Sequence, residues 1–167
     1  GDHPHREGRA VSALEDSFAG YRVGATLYMP VTHPRAAEVL AGRAVFGRAS
    51  VVLCLEDALA PCDVGPGLTA LREGLAERRA AGQVFVRPRD LEMAWRIARW
   101  PGAERVAGFV APKLTAADLP GWLALSQATG LRLMPTLETP DFFEPAAVAA
   151  IRDGLAPHRD RIAAIRD

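Results

Sequence analysis

The sequence has few cysteines and no excess of either charge. Only Cys54 and Cys62 occur among 167 residues, and neither belongs to a disulfide framework or a metal-binding pair. Cys54 lies in an apolar run, which predicts a buried, reduced thiol, so we expect a cytoplasmic protein. Lysine and arginine together number 20, as do aspartate and glutamate. This balance argues against nucleic acid or an anionic membrane surface as a partner.

Long apolar runs are absent as well. A membrane-spanning helix needs about 20 apolar residues, and no run approaches that length. The composition, 49% hydrophobic and 24% charged, is typical of a globular protein with no membrane partner. We expect a flexible or helical extension over residues 1–20 and one domain over residues 21–167.

Short apolar runs alternate with longer amphipathic stretches along the chain. The runs predict six strands: Ala25–Val31, Ser50–Leu55, Gln83–Arg87, Val106–Ala111, Arg132–Leu137 and Arg161–Ile165. The stretches between them predict five helices: Pro34–Leu40, Gly67–Ala81, Leu91–Trp100, Ala116–Thr129 and Glu144–Leu155. Because parallel neighbours require crossover connections, this alternation indicates an α/β fold with a parallel sheet.

A glycine-rich phosphate loop is missing after the first strand. An open doubly wound sheet that binds nucleotides would favour such a loop, but the turn from Pro30 to Arg35 has no glycine. We therefore favour a TIM (β/α)8 barrel of which about six β/α units are present, truncated at the C-terminus.

Charged residues follow the predicted strands directly. The residues in question are Arg35, Glu56, Asp57, Arg87, Arg89, Lys113 and Glu138. In a parallel barrel the carboxyl ends of all strands meet at one face, where barrel enzymes build their sites. Exposed loops are often charged for solubility alone. A charge placed immediately after an apolar strand is partly desolvated, however, and needs a partner or a ligand, so we predict a functional site here.

The residue types at this face suggest two chemistries. Glu138 with Glu56 or Asp57 would offer the oxygen ligands that Mg²⁺ prefers, and Arg87 could hold a substrate carboxylate in a bidentate fork. A divalent metal and an arginine together would stabilise an enolate. Phosphate handling by Arg87, Arg89 and Lys113 fits the same spacing nearly as well.

Five segments, in order and at matching spacing, carry a resemblance to a known superfamily: Leu27–Arg35, Val51–Ala58, Val84–Arg89, Gly108–Lys113 and Leu133–Glu138. They resemble the HpcH/HpaI aldolase and citrate lyase β-subunit superfamily, in particular a branch of TIM-barrel C–C bond lyases found in tellurium-resistance and stress-response gene clusters. The resemblance implies a Mg²⁺-dependent lyase or aldolase that acts on a small hydroxy or keto carboxylic acid or its CoA thioester. It also implies a homo-oligomer.

The resemblance implies catalytic roles for four residues. Glu138 matches the first metal ligand of the family, and Arg87 matches the arginine that holds the substrate carboxylate or oxyanion. Glu56 and Asp57 match the paired acids after strand two, which orient metal-bound water and neighbouring groups.

Three further residues are implied in binding. Arg35 matches a basic residue near the CoA or phosphate of CoA-using members, and Lys113 matches a lysine with a structural or electrostatic role. Arg89 completes the basic set that would bind a substrate or cofactor.

Two expectations and two alternatives remain. The family's second metal ligand should lie just beyond Asp167, so we expect the 167-residue chain to be inactive by itself. A non-catalytic barrel that binds a metabolite or a partner in a stress-response system is the main alternative. The other is an open sheet that binds phosphate or a nucleotide, and the order of the strands distinguishes it from a barrel.

Overall fold

The computed structural model describes residues 26–44, 49–79, 83–136 and 145–163. Its strands are β1 (Thr26–Pro30), β2 (Ser50–Cys54), β3 (Val84–Arg87), β4 (Gly108–Ala111) and β5 (Arg132–Pro135). Its α-helices are α1 (Ala36–Leu40), α2 (Val64–Glu77), α3 (Leu91–Ala98), α4 (Leu119–Thr129) and α5 (Pro145–Leu155). Short 3₁₀ helices cover Pro61–Asp63, Ala103–Arg105 and Ala156–Arg161.

The five strands form one parallel sheet in the order β1-β2-β3-β4-β5. A doubly wound sheet reverses its strand order at a switch point, whereas a barrel adds each strand beside the previous one. The observed order is therefore that of a partial barrel. Ile162 makes a parallel bridge to Leu133 on the far side of β5. This bridge lies within the sixth predicted strand, whose residues 164–165 are outside the described part, so the count of six units stays a prediction.

The sheet buries both of its faces, as parallel sheets usually do. The face toward the helices carries the larger core, which includes Leu53, Val86, Phe109 and Leu133. The opposite face carries a second, smaller cluster: Val52, Phe85, Val110, Met134 and Ala163. Alternate residues along each strand belong to the two faces, and the second face corresponds to the interior of a barrel.

Two helices begin or end three or more residues from their predicted positions, and the other three differ by one or two residues. Helix α4 begins at Leu119 and not at Ala116, because the Thr115 hydroxyl bonds the Asp118 carboxylate at 2.8 Å and closes a turn before the helix. Helix α2 begins at Val64 and ends at Glu77, earlier than predicted. Its C-cap residue, Arg78, has an extended backbone, with ψ of 126°.

Arg78 is buried although it has the most polar of side chains. Its Nη1 atom lies 2.9 Å from the carbonyl oxygen of Leu40 and 3.3 Å from that of Val39. Its Nε atom donates to the carbonyl of Arg105 at 3.2 Å. Burial lowers the pKa of this guanidinium. Arg78 thus ties the end of α1 to the 3₁₀ helix before β4 through backbone acceptors.

Within the described residues, no helix combines the length and the apolar character required to cross a membrane. The predicted extension over residues 1–20 lies outside the described part of the chain.

Candidate active site

Strand alternation brings Glu56 and Arg87 to the same face. Arg87 is the last residue of β3 and lies beside Cys54 in the register of β2 and β3. Arg87 lies two residues after Phe85, and Glu56 lies two residues after Cys54 and four after Val52. Residues two apart in a strand point to the same face of the sheet. Both side chains therefore lie above the inner cluster, at the carboxyl end of the sheet. Both residues are buried: 8% of the surface of Glu56 and 6% of the surface of Arg87 are exposed.

Glu56 forms an ion pair with each of two cations. Its Oε2 atom lies 2.7 Å from Nη2 of Arg87, and its Oε1 atom lies 3.0 Å from Nζ of Lys113. Asp57 makes longer contacts with the same two partners, 3.8 Å to Arg87 and 3.7 Å to Lys113. The Asp57 side chain is 68% exposed, so it forms the solvent side of this four-residue network.

The network keeps Glu56 ionised. Burial raises the pKa of its carboxyl group, but the hydrogen bond and charge of Lys113 and the charge of Arg87 outweigh that effect, and the pKa lies below its ordinary value. The site therefore holds a buried carboxylate between two fixed cations.

Lys113 reaches Glu56 through an unusual backbone conformation. It follows β4 by two residues and has a positive φ of 48°, a region that residues with a Cβ atom rarely adopt. Strand alternation would otherwise place Lys113 with Ala111, on the helix side of the sheet. The amide of Lys113 donates to Oγ1 of Thr136 at 3.1 Å, which anchors the turn to the strand next to it.

A cavity of about 480 Å³ opens beside this network, between the loops that follow β3 and β4. Arg89, Pro112, Lys113 and the largely buried Trp122 contribute to its lining. Acidic residues line it as well, but Asp90 accepts a hydrogen bond from the amide of Met93 and thereby caps α3. The cavity thus places a wall of mixed charge, with one aromatic side chain, next to the ion pairs.

The structure brings together four of the seven predicted site residues, Glu56, Asp57, Arg87 and Lys113. Arg89 lines the adjoining cavity. Arg35 forms an ion pair with Glu38 at 3.5 Å, a local contact of helix α1. Glu138, the predicted metal ligand, lies outside the described residues. Across the described ranges, no group of three or more His, Cys, Asp or Glu side chains could hold a metal ion.

Sequence reasoning missed Thr136, whose side chain bridges Lys113 and β4. It also passed over a compositional signal, because Lys113 is the only lysine in the chain and the remaining 19 basic residues are arginines. That signal alone would have set Lys113 apart from the other charged strand-end residues.

The comparison with protein families decides the identity of this barrel. A family model described as a C–C bond lyase of the TIM-barrel fold matches residues 17–166. The chain belongs to this lyase family. The match confirms the predicted TIM-barrel fold and the carbon–carbon lyase class, and it includes every residue of the ion-pair network. A search of curated proteins returns no match to this TIM-barrel lyase.

Proposed function

We propose that this protein is a Mg²⁺-dependent carbon–carbon lyase or aldolase that acts on a small hydroxy or keto carboxylic acid or its CoA thioester. In this proposal its chemistry is similar to that of the HpcH/HpaI aldolases and the citrate lyase β-subunit. The ion-pair network of Glu56, Asp57, Arg87 and Lys113 at the carboxyl ends of β2–β4 carries the proposal, together with membership of the lyase family.

Arg87 binds the substrate carboxylate in this proposal. Glu56 fixes the guanidinium at 2.7 Å, whereas the Asp57 contact on the same Nη2 atom is 3.8 Å long and lies on the solvent side. A substrate carboxylate replaces the weaker Asp57 contact, and Glu56 keeps the guanidinium in place. Arginine suits this role because its planar fork matches the geometry of a carboxylate.

Asp57, once displaced, is the group placed to accept a proton. In the cleavage direction the hydroxyl proton of the substrate passes to the Asp57 carboxylate and the C–O bond becomes a carbonyl. The electrons of the broken C–C bond remain on the other half of the substrate as an enolate. The cations Arg87 and Lys113 stabilise this negative charge at short range.

The chemistry of the donor set fits Mg²⁺ if Glu138 joins it. The buried Oε2 atom of Glu56 receives no hydrogen bond of standard geometry from the described residues, its ion pair with Arg87 apart. Glu138 and this Glu56 oxygen would hold the ion, with water completing its coordination. When bound, Mg²⁺ would polarise the substrate carbonyl.

Charge balance supports the same choice. The two acids and two bases of the network sum to zero, so a substrate carboxylate and Glu138 would leave two uncompensated negative charges in a partly buried site. A divalent cation neutralises them, and this requirement favours a metal-dependent reaction over a metal-free one.

Calorimetry on the full-length protein tests the proposal. We expect Mg²⁺ to bind, and oxaloacetate or pyruvate to bind in its presence. Glu138→Gln should abolish metal binding. Arg87→Lys should weaken keto-acid binding by about 10- to 100-fold, because the shorter ammonium cannot bond Glu56 and the substrate carboxylate with the geometry of the guanidinium. Arg89→Lys is the matched control and should change the affinity far less.

If the wild-type protein binds neither the metal nor a keto acid, the lyase proposal fails. A barrel that binds a metabolite without turning it over would then be the better account. Equal effects of Arg87→Lys and Arg89→Lys would instead assign the substrate to the adjoining cavity.

A further inference from the structure

Lys113 occupies a place where arginine would not serve equally well. All other basic residues of the chain are arginines, whereas the group between Glu56 and Asp57 is a compact ammonium. Its nitrogen lies 3.0 Å from one carboxylate and 3.7 Å from the other. An ammonium acts as a point charge with rotatable donors, and a guanidinium is a rigid fork. The position of this one nitrogen therefore determines the second ion pair of each acid, in addition to the pair that each makes with Arg87.

The backbone at Lys113 requires an external constraint to hold that position. Among the described residues, Lys113 is the sole non-glycine residue with positive φ. This conformation is unfavourable for a residue with a Cβ atom, and it persists only where the surroundings enforce it.

Thr136 supplies the constraint. Its Oγ1 atom accepts from the amide of Lys113 at 3.1 Å and donates to the carbonyl of Ala111 at 2.8 Å. Its own amide also donates to the carbonyl of Ala111, and its carbonyl accepts from the amide of Leu114 at 2.9 Å. Thr136 is fully buried. Its hydroxyl, amide and carbonyl groups all bond residues 111–114, the turn that carries Lys113.

We propose that Thr136 is a positioning residue for the reaction: its hydroxyl fixes the left-handed turn at Lys113 and thereby sets the ammonium against Glu56 and Asp57. Thr136 acts through Lys113, because its hydroxyl bonds the Lys113 amide and the Ala111 carbonyl. The relevance to catalysis rests on the proposed lyase function, but the effect on Lys113 does not.

Thr136→Val and Thr136→Ser form a matched pair for the test. Valine preserves the shape of the side chain but removes the hydroxyl, and serine preserves the hydroxyl. In Thr136→Val, we expect the Lys113 amide to exchange with deuterium faster than in the wild type. The Leu114 amide bonds the Thr136 backbone carbonyl, and its exchange should be unchanged. This amide is an internal control, because general destabilisation would accelerate both.

The reactivity of the Lys113 side chain gives a second measurement, read at the peptide level by mass spectrometry. Acylating reagents react at the amine nitrogen, and two carboxylates within 4 Å hold and partly screen that nitrogen. Thr136→Val should therefore raise the acylation rate of Lys113 by about two- to fivefold, the scale of a half-exposed ion pair. Thr136→Ser should match the wild type, and Glu56→Gln sets the rate expected when the main partner loses its charge.

In the active full-length enzyme, Thr136→Val should lower kcat with little change in KM, and Thr136→Ser should restore it. The inference is overturned if Thr136→Val leaves the exchange and acylation of Lys113 at wild-type rates, or if Lys113 and Leu114 exchange faster to the same extent. A shift in Lys113 without any lyase activity in the wild type would refute the proposed function and leave the positioning role supported.

Discussion

At the scale of single residues, the site depends on one carboxylate that remains charged in a buried position. Burial alone would favour the neutral form of Glu56, and the charges of Lys113 and Arg87 reverse that preference. The same contacts fix the position of the Arg87 guanidinium. Glu56 is therefore the structural anchor of Arg87.

Glu56→Gln should lower the free energy of unfolding by about 2–4 kcal/mol at pH 7, because it leaves the buried Arg87 without its main counter-charge. The pKa of Glu56 in the folded protein lies below its ordinary value of 4.5. Its stabilising contribution is therefore complete above that value and is lost as the pH falls through the lower, folded-state pKa. Urea denaturation of the wild type and the variant between pH 7 and pH 3 should show their free energies of unfolding becoming more similar as the pH falls.

Asp57→Asn is the matched control for this prediction. Its side chain is 68% exposed, so the loss should stay below about 1 kcal/mol. Equal losses in the two variants, or a difference that does not depend on pH, would contradict the assignment of Glu56 as the anchor.

Glu56, Asp57 and Arg87 could be predicted from the sequence as neighbours at the strand ends. The hydrogen bond from the Lys113 amide to Thr136, which orients Lys113, could not. Glu56 and Arg87 stand out because each follows an apolar strand directly. Thr136 does not stand out, because threonine is common in strands on packing grounds alone. A positive φ at Lys113 cannot be predicted from a residue type that normally avoids it.

At the scale of elements, Arg78 connects the ends of α1 and α2 with the segment before β4. Arg78 continues the helical spacing of the apolar residues Leu71 and Leu75, and the structure buries it on that side, against backbone carbonyls. Carbonyls at the end of a helix lack partners within the helix, and a cation there also interacts favourably with the helix dipole. The spacing thus indicates the buried side of α2, but the residue type does not, because arginine is rarely fully buried.

Arg78→Met should lower the free energy of unfolding by about 2–4 kcal/mol, because three carbonyl groups lose a charged donor and two of them belong to a buried helix end. Arg79→Met is the neighbouring control. Arg79 is exposed and bonds only nearby carbonyls of the same helix end, so a change within about 0.5 kcal/mol is expected. Denaturation midpoints of the two variants measure the difference in stability. Similar losses would refute the stabilising role of the bonds from Arg78 to the three carbonyls.

The contact between β4 and β5 depends on a glycine. A Cβ atom added at Gly108 would lie 2.0 Å from the carbonyl oxygen of Arg132, its partner in the register. Gly108→Ala should therefore cost at least about 2 kcal/mol, since the strands must separate. Gly65, in α2, has no atom within 4 Å of such a Cβ, and Gly65→Ala should be neutral or stabilising by up to about 1 kcal/mol. Thermal denaturation distinguishes these outcomes, and equal shifts would contradict the close approach.

At the scale of the whole molecule, the alternation of apolar runs and amphipathic stretches was sufficient to predict a parallel α/β fold. The runs at Ser50 and Gln83 needed adjustment by one residue at most, since buried parallel strands have strong apolar patterns. The predicted start of α4 was three residues too early, because residues 116–118 form a turn closed by the contacts between Thr115 and Asp118. Strand order, which separates a barrel from a doubly wound sheet, is set by contacts between distant segments and required the structure.

The sequential order of the strands also predicts where the molecule opens first. Strands β2, β3 and β4 have a neighbour on both sides, whereas β1 pairs with β2 alone among the described strands, and its Leu27 and Tyr28 are exposed by 40% and 47%. Local opening needs less free energy where fewer contacts break, so amides of β1 should exchange at least about tenfold faster than those of β3. Hydrogen exchange followed by mass spectrometry on the 167-residue chain measures this directly. Equal protection of β1 and β3 would contradict the prediction, because a further strand or a second copy of the chain would then have to cover the β1 edge.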